Sequence, residues 1–118
     1  MKYTKEQIDA WKVQHGRVLK VTINGLEFLY RPLTLAELRR LRAEESAFIE
    51  KLKKESLSQE EVTARTFEYS SLMLCKTCIL YPESFDFDKN ASGLIDSLQP
   101  LIMSASGYPE EPPQPEEL

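Results

Sequence analysis

The sequence predicts an α+β domain that is mostly helical, with one N-terminal β-hairpin and a disordered, acidic, proline-rich C-terminal tail. Two observations predict it. Two short stretches of alternating apolar residues flank Asn24-Gly25, which is the pattern of a hairpin with a two-residue turn. Three longer stretches each begin with threonine or serine followed three residues later by glutamine or glutamate, the capping-box pattern of a helix start. We therefore assign residues 1–107 to one domain and residues 108–118 to the tail.

The N-terminal third is predicted as a helix followed by the hairpin. Thr4 caps the helix, which ends at His15-Gly16, and the strands cover residues 17–23 and 26–31. Asn24-Gly25 suits a type I′ turn because both residues tolerate positive φ. Successive side chains of a strand point to opposite faces of the sheet. In the second strand, one face is therefore predicted to carry Leu26, Phe28 and Tyr30, and the other Glu27, Leu29 and Arg31.

The rest of the domain is predicted as three helices. Thr34 begins a helix with one apolar stripe, formed by Leu35, Leu38, Leu41, Phe48, Ile49 and Leu52. Ser58 begins another, which we expect to continue to about Leu80 and to stop before Pro82. A loop then precedes a short helix with apolar residues at Leu94, Leu98, Leu101 and Ile102. Pro100 should kink or restart that helix, and Gly107 fits the position after its end.

The charge distribution gives no reason to expect a nucleic-acid or membrane partner. The net charge of -4 comes from four glutamates of the tail, because residues 1–108 hold equal numbers of acidic and basic side chains. Binding to nucleic acid or an anionic membrane requires a concentrated excess of lysine and arginine. No apolar run approaches the roughly 20 residues of a membrane-spanning helix. We expect a cytosolic protein.

The chemically suggestive residues fit structural roles better than catalytic or metal-binding ones. Cys75 and Cys78 supply half of a zinc site and are expected as small buried side chains. His15 fits a helix C-terminus, where the negative end of the helix dipole favours it. Asp86 and Asp88 fit a turn or a cap, since a calcium loop would need further ligands. We therefore predict a non-enzymatic protein without a catalytic residue, cofactor or metal.

Binding to another protein is the function that these features favour. The second half of the third helix is apolar almost all round, which indicates either a central core position or a surface for a partner. The residues that we select as the candidate partner-binding patch are Phe48, Ile49, Leu72, Met73, Leu74, Ile79 and Leu80. For each of these residues, burial in the core is the alternative interpretation.

Three segments resemble the tail assembly chaperones of long-tailed bacteriophages. They are Phe28 with Tyr30-Arg31-Pro32-Leu33-Thr34 and Glu37, then Leu80-Tyr81-Pro82, and finally Ile102 to Gly107. The resemblance covers most of residues 17–107. It implies a helical, self-associating protein of the infected host's cytoplasm that binds the tape measure protein, keeps it soluble during tail assembly and is absent from the finished particle.

Two other functions remain open. The chain is alternatively a small structural virion protein of the phage tail or baseplate, whose hairpin adds to the sheet of a neighbour. It is also compatible with an adaptor or inhibitor directed at a host protein, with the acidic tail as a mimic of a polyanion. For all three we expect protein partners, a homo-oligomer among them, and no nucleic acid or membrane.

Overall fold

The computed structural model describes residues 3–108 and 114–117. Within them the chain forms, in order, α1 (Lys5–His15), β1 (Leu19–Ile23), β2 (Leu26–Tyr30), α2 (Leu35–Leu52), α3 (Gln59–Cys78), β3 (Ile79–Tyr81), a 3-10 turn (Phe87–Lys89) and α4 (Gly93–Ala105). The predicted α+β class is confirmed. The sheet, however, has three antiparallel strands in the order β1-β2-β3, where the sequence predicted only the hairpin.

The predicted start of each of the first three helices is confirmed by its cap. The side chains of Thr4, Thr34 and Ser58 accept hydrogen bonds from backbone N–H groups three residues later, at 3.1, 3.2 and 3.2 Å. These bonds satisfy donors that have no partner within the helix itself. The sequence therefore located the helix starts through local chemistry that does not depend on the rest of the fold.

The hairpin turn also forms as predicted, although both strands are slightly shorter. Asn24 and Gly25 have φ angles of 52° and 79°, as a type I′ turn requires, and Ile23 lies opposite Leu26. β1 begins at Leu19 and β2 ends at Tyr30, so residues 17, 18 and 31 lie outside the strands.

The prediction that the third helix continues to about Leu80 is wrong, because the chain leaves the helix after Cys78 and forms β3. Pro82 has no N–H, so it could not donate to the Cys78 carbonyl in a continued helix. The backbone N–H of Arg31 donates to that carbonyl instead, at 3.0 Å. Next to this bond Leu29 pairs with Tyr81 and Tyr30 with Ile79, which makes β2 the central strand.

The second half of β2 is buried on both faces, which the alternation in its sequence did not indicate. Phe28 and Tyr30 face the main core, and Leu29 and Arg31, predicted for the opposite face, are buried as well. The N-terminal segment lies over this second face. At one end Tyr3 packs edge-to-face on Tyr81 and donates to Glu27, and at the other His15 is close enough to Arg31 for its charge to shift the histidine pKa.

The main core lies between the sheet, the C-terminal half of α3, and α4. Its buried residues are Phe28, Tyr30, Leu33, Leu74, Cys75, Cys78, Phe87, Leu94, Leu98 and Ile102. α4 passes through Pro100 as one helix and does not restart there, and Gly107 follows its end with φ 95°. The predicted tail lies mostly outside the described residues; Tyr108 and residues 114–117 are exposed and have no regular secondary structure.

The α2–α3 pair extends beyond this core. We call residues 42–70, the outer halves of both helices with their connection, the arm, and residues 17–41 with 71–108 the base. Within the arm, Leu52 is the one residue in the buried class. A helix pair without a core of its own depends on the base for its position and leaves its sides accessible.

Candidate protein-binding site

A buried ion pair in the base fixes where the arm begins. The guanidinium of Arg31 donates to both carboxylate oxygens of Glu37 at 2.6 and 2.7 Å, and also to the backbone carbonyls of Pro32 at 3.1 Å and Thr77 at 3.0 Å. The two side chains are 10% and 19% exposed. Paired, planar contacts of this kind restrict orientation as well as distance. The end of β2, the start of α2 and the end of α3 are thus held together by one side chain.

Electrostatics show that Glu37 belongs to this network as an anion. Its hydrogen bonds with Arg31 lower the pKa of its carboxyl group to about 2, although burial acts in the opposite direction. The same carboxylate accepts from the backbone N–H and the hydroxyl of Thr34, at 3.1 and 3.0 Å, and so completes the cap of α2. The cap that sets the start of α2 and the ion pair that sets its direction share this one group.

A second tie connects the start of α2 with the end of α4. The backbone N–H of Leu33 donates to the hydroxyl of Ser106 at 2.8 Å, and that hydroxyl donates to the carbonyl of Ile102 at 2.7 Å. The three segments that carry the phage-chaperone resemblance therefore meet in the base. Residues of these segments thus hold the fold together.

An apolar groove runs along one side of the arm and continues onto the base, between α2, α3 and α4. It consists of three adjoining cavities of about 550, 270 and 200 Å³. The outer two share Glu45, Phe67 and Ser70 in their walls, and the inner two share Leu33 and Leu38. The three cavities adjoin one another at these shared residues, and we call them together the groove.

The lining of this groove is mainly aliphatic and aromatic, with methionine from two helices. Its apolar and aromatic residues are Leu33, Leu35, Leu38, Leu41, Ile49, Leu52, Leu57, Val62, Phe67, Tyr69, Met73, Leu74, Met103 and Tyr108. Phe67 is 61% exposed and Leu35 60%, which is high for side chains of this size. A contiguous apolar surface of this kind is typical of a site that another protein covers.

The dimensions of the groove suit a helix. Its α2 wall extends from Leu35 to the end of that helix at Leu52, 18 residues in all. At 1.5 Å per residue this is about 27 Å, or about five helical turns. Charged residues along the outer part are of both signs, Arg42 and Lys53 with Glu45 and Glu55, so apolar contact rather than net charge would select the partner.

A second depression on the arm, which shares Leu52, Glu55 and Tyr69 with the lining of the groove, is different in character, and we call it the aromatic face. Phe48 of α2 and Tyr69 of α3 stack in parallel, with ring centroids 4.2 Å apart and an angle of 5° between the planes. Leu72, Lys51 and Glu68 complete a depression of about 440 Å³ around them. This surface is smaller than the groove and is bordered by opposite charges.

The structure distributes the seven predicted partner-binding residues over four places. Ile49 and Met73 line the groove, and Phe48 and Leu72 lie on the aromatic face. Leu74 is 5% exposed and belongs to the core. Ile79 and Leu80 are half-buried in β3 and do not continue the helix. The predicted residues are therefore distributed over several surfaces, in part because the prediction extended the helix to about Leu80, whereas the chain changes to a strand after Cys78.

Sequence reasoning missed most of the groove. Phe67 lies before the apolar run of α3 and was not predicted as a partner-binding residue. Leu38 and Leu41 were predicted only as part of the apolar stripe of α2. Met103 belongs to α4, whose position beside the arm the sequence did not predict. One signal of the groove was available in the sequence. The apolar stripe of α2 continues to Leu52, beyond Leu38 and Leu41, which pack against the main core.

The residues examined for chemistry take structural roles. Cys75 and Cys78 are free thiols in the core, and burial raises the pKa of each to about 12. Asp86 caps the 3-10 turn by accepting from the Asp88 N–H at 3.1 Å. His15 lies in the last turn of α1 as predicted, and burial together with the charge of Arg31 lowers the pKa of its imidazole. Among residues 3–108 and 114–117 no cluster of three or more potential metal ligands occurs.

Comparisons with known proteins add no assignment: no family profile, curated protein sequence or solved structure matches this chain. Of the helices that the structure describes, none has the length and apolar character needed to cross a membrane. The groove and the aromatic face are therefore the observations on which a function can be based.

Proposed function

We propose that this protein is a tail assembly chaperone of a long-tailed bacteriophage, acting in the host cytoplasm, and that its groove binds amphipathic helices of the tape measure protein. The observation that supports the proposal most is the groove itself, about 27 Å long, apolar and bordered by α2, α3 and α4. The tape measure protein is proposed as the client because the three segments in the base resemble such chaperones. The proposal requires binding only, and no catalytic reaction by either protein.

Binding in this groove would follow the helix-in-groove mode. An amphipathic client helix places apolar side chains at every third or fourth position, and these anchors insert along one side. Met73 and Met103 are flexible and polarizable, so the middle of the groove can adapt to anchors of different shape. This adaptability suits a chaperone, which must cover several similar segments of one long client rather than a single sequence.

Co-expression with the tape measure protein of the same phage tests the proposal. The native chain should raise the soluble fraction of the tape measure protein and purify with it. Phe67→Glu places a charge in the groove at an exposed position and should abolish both effects. Val13→Glu is the matched control, because Val13 is 90% exposed on α1, outside the groove. Equal results for the two variants would contradict the proposal, as would a client that stays insoluble with the native chain.

A structural role in the tail or baseplate is the second candidate, and one observation favours it. β1 lies at the edge of the sheet. Because the turn closes at Ile23 and Leu26, the backbone groups of Lys20 and Thr22 point outward, where another strand could pair. Mass spectrometry of purified particles and of the lysate separates the two functions. A chaperone appears in the lysate only, and a structural protein appears in the particle at fixed stoichiometry.

A further inference from the structure

Glu45 is a half-buried carboxylate in the middle of the groove. It lines both the outer cavity of about 550 Å³ and the next one of about 270 Å³, so it lies where the two adjoin. The hydroxyl of Ser70 donates a hydrogen bond to it. Among residues 3–108 and 114–117 no lysine, arginine or histidine forms a salt bridge with Glu45, and Lys53, farther out in the groove, pairs with Glu50 at 3.1 Å.

A helix that covers the groove removes water from this carboxylate. One hydroxyl donor leaves most of the hydrogen-bonding capacity of Glu45 to water, because the two oxygens of a carboxylate offer about four acceptor positions. Once a client excludes that water, an unpaired charge is costly, whereas a cationic partner compensates it. An apolar client residue at this point is therefore disfavoured, and a lysine or arginine is favoured.

Phe67 adds a second attraction for a cation at the same level of the groove. It lines the same two cavities as Glu45, and its side chain is 61% exposed. The face of an aromatic ring attracts an ammonium or guanidinium group, and the aliphatic part of lysine or arginine packs on apolar surface. Because Glu45 belongs to α2 and Phe67 to α3, the two walls of the groove both favour a long cationic side chain here.

We infer that the groove selects helices with one lysine or arginine in the middle of an otherwise apolar stripe, and that Glu45 binds this cation. Leu38 and Leu52 line the groove two helical turns before and after Glu45, at a distance along the helix of about 10 Å each. A client helix that lies along α2 therefore places apolar anchors about two turns on either side of its cation. The inference rests on the proposed function, because it requires a helix in the groove, and it adds which helices bind and in which register.

Two synthetic helical peptides of 18 residues, the length of α2, test the inference with the full chain. Both carry leucines along one face and have the same composition. In the first peptide the central position of the leucine face is lysine and one position of the opposite face is glutamate; in the second these two residues are exchanged. The central position comes over the middle of the groove in either direction of the peptide. Fluorescence anisotropy should show that the native chain binds the first peptide at least about tenfold more tightly, because the exchange replaces an attractive contact with Glu45 by a repulsive one.

Three variants assign this preference to one carboxylate. Glu45→Gln keeps an oxygen for the Ser70 hydroxyl but removes the charge, so the affinities for the two peptides should become nearly equal. Glu45→Lys should reverse the preference. Glu44→Lys is the matched control, because it makes the same change of net charge at the next residue, which is exposed and does not line the groove. This control should keep the native preference.

The outcomes separate this inference from the proposed function. Equal binding of the two peptides by the native chain would overturn the inference alone, and so would a lysine preference that Glu45→Gln leaves unchanged. A change of preference that is as large for Glu44→Lys as for Glu45→Lys would also overturn it, because the effect would then come from the overall charge of the protein. If neither peptide binds the native chain, the inference and the proposed binding of amphipathic helices fail together.

Discussion

The base and the arm use the same helices in opposite ways. In the base, α3 contributes Ser71, Leu74, Cys75 and Cys78 to the buried interior, and α2 begins beside a buried ion pair. In the arm, the same two helices place only Leu52 in the buried class, and they are joined by the Phe48–Tyr69 ring stack and by a hydrogen bond from the Ser70 hydroxyl to Glu45. The difference indicates that the base supplies stability and the arm supplies accessible surface.

The two regions overlap where the groove is concerned. The segments that resemble phage chaperones lie in the base, where Arg31, Glu37 and Ser106 hold elements together. The aromatic face lies mainly on the arm, whereas the groove extends from the arm onto the base, where Leu33 and Met103 of those segments line it.

Two phenylalanines give the largest expected contrast between the regions. Phe28→Ala in the base removes a ring that is 0% exposed and packed edge-to-face on Phe85, and should lower the free energy of unfolding by about 4 kcal/mol. Phe67→Ala in the arm removes a ring that is 61% exposed, and should change the free energy by less than about 0.5 kcal/mol. Urea denaturation measures both. A loss above about 2 kcal/mol for Phe67→Ala would show that the arm has a core of its own.

Much of the fold could be predicted because local chemistry determines it. The caps at Thr4, Thr34 and Ser58 and the turn at Asn24-Gly25 depend on residues within four positions of each other. β3 could not be predicted, because it depends on pairing with β2, about 50 residues away. The same limit hid the burial of Arg31, whose partners come from α2 and from the end of α3.

The candidate site was harder to predict than the fold. The apolar stripe of α2 was visible, but a stripe does not show where the covering elements end. Leu38 and Leu52 belong to the same stripe and both line the groove, and yet Leu38 is half-buried at the end beside α4 while Leu52 is buried near the tip. That difference depends on the position of α4, which long-range contacts set.

The second contrast compares two arginines: Arg31, which directly follows β2, and Arg39, in the first half of α2. Arg31→Met keeps much of the side-chain volume but leaves Glu37 without its partner in a site where it is 19% exposed, and should cost about 3 kcal/mol of unfolding free energy. Arg39→Met, at an exposed position of α2, should stay within about 0.5 kcal/mol of the native chain. Thermal and urea unfolding monitored by circular dichroism measure the two losses. If Arg31→Met is as stable as Arg39→Met, the ion pair does not hold the base together.

The smallest contrast concerns pH and isolates one carboxylate of the base. The pKa of Glu37 is about 2 in the folded protein, chiefly through its hydrogen bonds to Arg31, against an ordinary value of 4.5. A lowered folded-state pKa stabilises the protein fully above the unfolded-state value and ceases to do so as the pH falls through the folded-state value. The contribution should therefore decline between about pH 4.5 and pH 2 and amount to about 2 kcal/mol.

Comparison with Glu37→Gln separates this effect from the titration of the other carboxylates, which both chains share. Above pH 5 the variant should be less stable than the native chain, and the gap should shrink by about 2 kcal/mol as the pH falls to 2. Glu44→Gln is the matched control on the exposed face of α2, and its gap should stay near zero throughout. A gap for Glu37→Gln that stays near zero at every pH would mean that the carboxylate acts through its cap on α2, where the amide oxygen of glutamine replaces it, and not through its charge. The ion pair with Arg31 would then orient the arm without stabilising the base.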